Sequence, residues 1–304
     1  MDWSSVLKGS NYPTRIGVLI ILVFSGLFLS SLVGFFLLEP LFGITIDQAL
    51  STGFLNRKAL LFLQTATMIF GFILPGWVYA KFDSNTPSKY LALSKVPSLH
   101  LWIFATVLYM VSLPLVEYLI QVNEAMSLPD SLKMVEDWMR NKENDLAAIT
   151  KEFLNFDNPF QYLLIIVIMA VLPAIGEEFI FRGILQRVLG GWFKNVHVGI
   201  FVAAFLFSAM HVQFFGFFPR FFLGLLLGYI YLYSGSLLLP IFIHFLNNAS
   251  AITISYFGSG MGTSDGPAFA DSSGIVILSS FLTAMVFYFF VKSAKKKSIK
   301  LSTL

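Results

Sequence analysis

Long apolar runs separated by short charged punctuation make up most of the chain. A helix that crosses hydrocarbon needs about 20 predominantly apolar residues. Ile16–Leu38, between Arg15 and Glu39, meets that length without a charge. It is longer than the ~7–15-residue core of a secretory signal and lacks a small-residue cleavage site, so it reads as a retained span. Ala59–Ala80, fenced by Lys58 and Lys81, is the second run. Leu101–Ile120, interrupted by Pro114 and Glu117, is the third. Residues 121–160 break the pattern with 12 charges, 8 of them acidic, and predict a polar segment outside the bilayer built of short amphipathic helices. From Phe160 the apolar text resumes, and five more spans are expected at 160–180, 198–216, 219–234, 237–257 and 275–291. Residues 258–274 have the Gly/Ser chemistry of a loop, and no repeat of 20–50 residues is visible.

Composition agrees: 57% of the 304 residues are apolar and 12% charged, against roughly a quarter charged in soluble domains. The expected fold is therefore all-α, a polytopic membrane protein of about eight transmembrane helices. Its parts are a three-helix region at 1–120, the polar segment at 121–159, a core at 160–257, and a loop, last span and basic tail at 258–304. This excludes a cytosolic enzyme, a disordered chain and a disulfide scaffold. The absence of Cys removes thiol nucleophiles, iron–sulfur clusters and thiolate zinc sites, and a net charge of +3 is too small to suggest nucleic acid. Basic residues collect on cytoplasmic loops. Lys8, Arg15, Lys81, Lys89, Lys95, Arg182, Arg187, Lys194, Lys292, Lys295, Lys296, Lys297 and Lys300 fall on one side of the expected topology. Only Arg57, Lys58, Lys133, Arg140, Lys142 and Lys151 fall on the other. Both termini are then cytoplasmic and the acidic segment lies outside.

Ionisable groups in hydrocarbon are costly and mark candidate function. Three clusters stand out. In Gly176-Glu177-Glu178-Phe179-Ile180-Phe181-Arg182-Gly183, Glu178 and Arg182 are four residues apart on one helix face, acid before base, the favoured order for pairing. Glu177 lies about 100° around the helix and cannot share that cation equally, which leaves one carboxylate structural and one reactive. Phe207-Ser208-Ala209-Met210-His211 and His244-Phe245-Leu246-Asn247-Asn248 place Phe207 with His211 and His244 with Asn248 on common faces. By the same geometry Asn247 points elsewhere. A lone buried His is more often a packing residue than a catalyst, whereas two, with an amide, are a constellation. A carboxylate and an imidazole can hold and deprotonate water; a second imidazole and an amide can donate to the oxyanion formed on a carbonyl. His100 and His197 stand at span ends and read as interfacial. Glu117 and Arg220, at similar depth, read either as a structural pair or as side chains snorkelling to the interface.

The ordered set E-E-x-x-x-R, F-x-x-x-H and H-x-x-x-N, here Glu177-Glu178…Arg182, Phe207…His211 and His244…Asn248, resembles the CPBP group. That group unites type II CAAX prenyl endopeptidases with Abi, bacteriocin-processing and immunity-associated membrane proteins. The resemblance covers about residues 160–257. It implies an intramembrane glutamate protease acting on a membrane-associated, possibly prenylated, peptide without a cofactor. Glu177 then activates water with His211, His244 and Asn248 form the oxyanion hole, and Glu178 and Arg182 brace the site.

Two rival readings remain open. The same Glu and His residues could ligate zinc, although they come from separate helices without a short metal-binding spacing. Alternatively, the chain is a non-catalytic membrane partner or immunity protein. Geometry poses a further question. A fifth span beginning at Val198 puts His211 about 20 Å along it, past the midplane, while Glu177 lies nearer the cytoplasmic side. The two meet only if the fifth helix starts deeper, tilts strongly or extends beyond Phe215, with the fourth helix continuing through Arg182.

Overall fold

The computed structural model describes residues 6–45, 47–48, 56–154, 156, 158–258 and 273–295. The 258–274 loop, apart from its ends, and the lysines at 296, 297 and 300 lie outside them. Among the described residues the fold is all-helical and has no strand. Its elements are α1 (Tyr12–Phe42), α2 (Arg57–Asp83), α3 (Leu99–Glu124), α4 (Lys133–Phe153), α5 (Pro159–Trp192), α6 (Val196–Ala209), α7 (Phe217–Ser234), α8 (Leu238–Gly258) and α9 (Ser273–Lys295), with a single turn at Pro87–Tyr90. Seven are long and apolar enough to cross a membrane; α6, at 14 residues, is apolar but short. The chain is thus a multi-pass membrane protein, and seven spans plus α6 agree with about eight helices.

The helix starts follow from local chemistry. Asn11, Asn56, Asn158 and Asn195 each occupy an extended N-cap position and accept backbone N–H groups of the first turn, satisfying donors that have no helical partner. Proline inside a span removes a hydrogen bond and crowds the carbonyl four residues back. In α2 and α5 the wider π-helical stretches Thr67–Ile73 and Val167–Val171 end just before Pro75 and Pro173, a local adjustment that accommodates the ring. A third π stretch, Phe179–Leu185, follows Glu177 and Glu178 directly.

Two boundaries differ from the expectation. The fourth span does not stop near residue 180 but runs on to Trp192, since its charges are satisfied within the bundle and do not end the helix. The fifth stops at Ala209 rather than 216. The 121–160 segment holds one amphipathic helix, α4, of 21 residues rather than several short ones. It carries the i,i+4 pairs Lys133–Asp137 and Glu136–Arg140 and packs across α2 and the turn before α7.

One core gathers Phe72 and Tyr79 of α2, Phe179, Phe181 and Ile184 of α5, Phe207 of α6 and Tyr231 of α7. A second joins Leu101, Leu108 and Tyr109 of α3 to Leu227, Ile243 and Phe290. α5 and α6 form a tight antiparallel hairpin: a Cβ on Gly199 would meet the backbone of Gly190 at 2.6 Å, so only glycine permits this approach. On the face carrying residues 84–98, Arg15 pairs with Asp83 at 2.9 Å, and Lys95 donates to the Ser234 carbonyl, where burial pulls its ammonium below the usual lysine range. Burial likewise pushes the Tyr90 phenol up to about 12 beneath the guanidinium of Arg187.

Candidate active site

Extension of α5 to Trp192 resolves the depth question. Glu177 stands fifteen residues before Trp192, and His211 fifteen residues after Val196. In an antiparallel hairpin the two are level, each about 22 Å from the connecting turn at 1.5 Å per residue. α6 ends just short of His211, so the histidine is delivered by the turn at 210–213 rather than from a helix face.

Glu178 and Arg182 make the pair that their spacing predicts. The guanidinium donates to Oε1 of Glu178 and to the Gly224 carbonyl of α7 at 3.1 Å, with the two residues 0% and 1% exposed. The same Oε1 accepts from Nδ1 of His244 at 2.9 Å. The other nitrogen of that ring faces Oε2 of Glu177 at 3.7 Å. Glu177 is 9% exposed, and its Oε2 is buried without a hydrogen-bond partner among the described residues. A buried carboxylate oxygen ordinarily finds a donor, so this is an acceptor that the protein itself leaves open.

Phe207 organises the aromatic side of the cluster. Its ring lies edge-on to His211 at 5.1 Å and to His244 at 5.8 Å, and Arg182 sits 4.5 Å over its face. Sequence reasoning carried Phe207 only as a spacing partner of His211; a phenylalanine four residues before a buried histidine was the available signal. His211 has Nδ1 2.8 Å from the Phe207 carbonyl. A carbonyl accepts only, so Nδ1 carries a proton, and in a neutral imidazole Nε2 is then the acceptor. The ring lies within electrostatic range of both Glu177 and His244.

Asn248 sits one turn beyond His244. Its Oδ1 accepts from Nδ2 of Asn247 at 3.2 Å, leaving its own N–H groups to donate elsewhere. Asn247 therefore does not point away from Asn248 as expected: adjacent helical residues diverge by about 100°, but two amide side chains can close that gap. Arg220 turns to the Gln213 carbonyl and the charge of Glu143 rather than to Glu117. His100 and His197 lie at helix starts, the latter against the Tyr229 hydroxyl at 3.1 Å.

The structure thus brings Glu177, Glu178, Arg182, His244 and His211 together around Phe207, with Asn248 adjoining on α8. Among the described residues no three His, Asp or Glu side chains are grouped as ligands for a metal.

These features define a class: a helical multi-pass membrane protein with a buried carboxylate–imidazole centre on three adjacent helices. Residues 159–250, which carry that centre, match the family described as type II CAAX prenyl endopeptidase Rce1-like, so this segment is similar to that family. Over 88 residues the chain is 31% identical to the uncharacterized protein YpbD of Bacillus subtilis (strain 168), a stretch that is 28% of this chain and 42% of that protein. The chain thus spans less than half the length of that relative. No solved structure matches it.

Proposed function

We propose that the protein is an intramembrane endopeptidase that hydrolyses a peptide bond of a membrane-associated, lipid-bearing substrate with water activated by Glu177 and His211. The observation that carries this reading is the unequal use of the two adjacent glutamates. Glu178 gives Oε1 to both Arg182 and His244, whereas Glu177 meets His244 only across 3.7 Å; the Oε2 of each is buried without a hydrogen-bond partner among the described residues. The family match over 159–250 supports the same chemistry.

In the proposed reaction, Glu177 and Nε2 of His211 hold a water molecule and accept its proton as the oxygen attacks the carbonyl carbon. The C–O bond forms, the C–N bond breaks, and the proton passes to the departing amine. His244 is held through Nδ1 by Glu178, and its Nε2 side faces the developing oxyanion. The N–H of Asn248 completes the pair of donors. No cofactor enters these steps. We place the protein in the cell membrane with both termini cytoplasmic, from the distribution of its basic loops.

The test is cleavage of a prenylated, fluorophore-quenched peptide by purified protein in nanodiscs. Glu177→Gln is expected to lower kcat about 10²–10⁴-fold, the contribution of a positioned acid–base group, without loss of fold. Retention of full activity by Glu177→Gln overturns the reading. Loss of activity to a chelator, restored only by zinc, points instead to a metalloprotease.

A further inference from the structure

The turn that delivers His211 is irregular backbone between α6 and α7, with Met210 and Val212 exposed, and it is strained. Val212, a β-branched residue, has φ 52°, in the left-handed region that such side chains avoid. Strain of this kind persists only where the surroundings over-determine it. One brace is local: Ser208 Oγ donates to the Phe217 carbonyl at 2.7 Å, tying the end of α6 to the start of α7.

Arg220, donating to the Gln213 carbonyl, and Arg140, over the Phe215 ring, also hold it, and a further brace comes from far along the chain. Asn123, in the last turn of α3 and 3% exposed, donates Nδ2–H to the Phe214 carbonyl at 3.0 Å and accepts the Phe218 N–H on Oδ1 at 2.9 Å. The first N–H groups of any helix lack partners within it. α7 is preceded by Gly216, which has no side chain to cap with, and no side-chain cap is made there. Asn123 supplies the missing acceptor from another helix. Both halves of a buried amide that would otherwise be costly are spent on the segment immediately following His211.

We propose that Asn123 is a positioning residue for His211: by capping α7 from α3 it holds the 210–216 turn and sets the face that the imidazole shows to Glu177. This rests on the reading of Glu177 and His211 as the water-activating pair.

The test follows the His211 ring by ¹⁵N NMR in nanodiscs, its signal identified by loss in His211→Gln. In the parent protein Glu177→Gln shifts this signal, because the carboxylate acts on the ring. In an Asn123→Leu background the same replacement is expected to shift it less than half as much. Asn123→Asp, which keeps the acceptor for Phe218, is expected to restore most of the coupling and serves alone if Asn123→Leu fails to fold, with its coupling then still below the parent value. On the prenylated peptide, Asn123→Leu is expected to lower kcat at least tenfold with KM within twofold. Equal shifts in parent and Asn123 backgrounds, or no shift in the parent, overturn the inference. Cleavage by the parent that is indifferent to Glu177→Gln instead removes the protease reading itself, so the two failures are distinguishable.

Discussion

His244 offers Nδ1 to Glu178 at 2.9 Å, and this contact turns its opposite nitrogen toward the carboxylate of the neighbouring Glu177. Arg182 completes the arrangement on the same Glu178 oxygen. One oxygen of Glu178 thus serves as the fixed point for two partners, whereas Glu177 faces the same imidazole only at 3.7 Å.

Replacing the two glutamates should have opposite consequences for stability. Glu178→Gln removes the charge that compensates a fully buried guanidinium, and breaking such a pair costs about 3–5 kcal/mol. Glu177→Gln removes a carboxylate whose Oε2 has no donor and is expected to leave stability unchanged or raise it. Denaturant unfolding of both variants in one detergent reads the difference; equal destabilisation contradicts the division of roles.

Phe207→Ala is expected to cost about 3–5 kcal/mol, as for other large aromatic truncations in a core. Its distinctive signature is that both imidazoles lose the ring that they share, so the NMR signals of His211 and His244 should move together. Movement of only one would show that the ring does not couple them.

Gly199→Ala should penalise activity more than stability. Overpacking at a helix crossing costs about 1–3 kcal/mol, but a displacement of 1 Å in a catalytic pair can cost on the order of 10²-fold in rate. A methyl on Gly199 presses on Gly190 and slides the two limbs that keep Glu177 and His211 level. Turnover per folded molecule, set against the unfolding midpoint, separates the effects; a rate loss no larger than the loss of folded protein would argue against this geometry.

Acid should loosen α4 before the bundle. Glu136 accepts the Leu128 N–H at 2.8 Å and pairs with Arg140. The backbone donor first, and the guanidinium second, hold its carboxyl below the usual range. A depressed folded value means that the stabilisation is fully present above the ordinary carboxylate range and is lost as pH falls through the folded value. Hydrogen-exchange protection of the 126–140 amides, taken relative to the intrinsic exchange rate at each pH, should therefore fall on acidification. In Glu136→Gln, which retains only a neutral acceptor, this acid-induced loss of protection should be much reduced.

Hydropathy alone located the spans, because lipid demands long apolar helices and the chain provides them. Their ends were less legible. The charges of Arg182 and Arg187 read as the cytoplasmic border of the fourth helix. In three dimensions Arg182 is buried against Glu178 and Gly224, and Arg187 donates to the Tyr90 carbonyl. Neither needs water, so the helix continues. Past Ala209 the error is opposite: Phe214, Phe215, Phe217 and Phe218 prolong the apolar text, while the break is made by Val212, whose residue type gives no warning of a left-handed turn. The spacing of Glu178 with Arg182 was readable because i,i+4 pairing is local. The service of Asn123 to a turn more than ninety residues away was not, since nothing in its neighbourhood names the recipient.

A fourteen-residue α6 reaches only about 21 Å of a hydrocarbon layer roughly 30 Å thick. α4 lies against the turn that follows it, with Trp138 against Phe214 and Arg140 over Phe215. The polar segment between the third and fourth crossings is therefore tied to the backbone that carries the histidine, and excising it would strip those contacts from the turn.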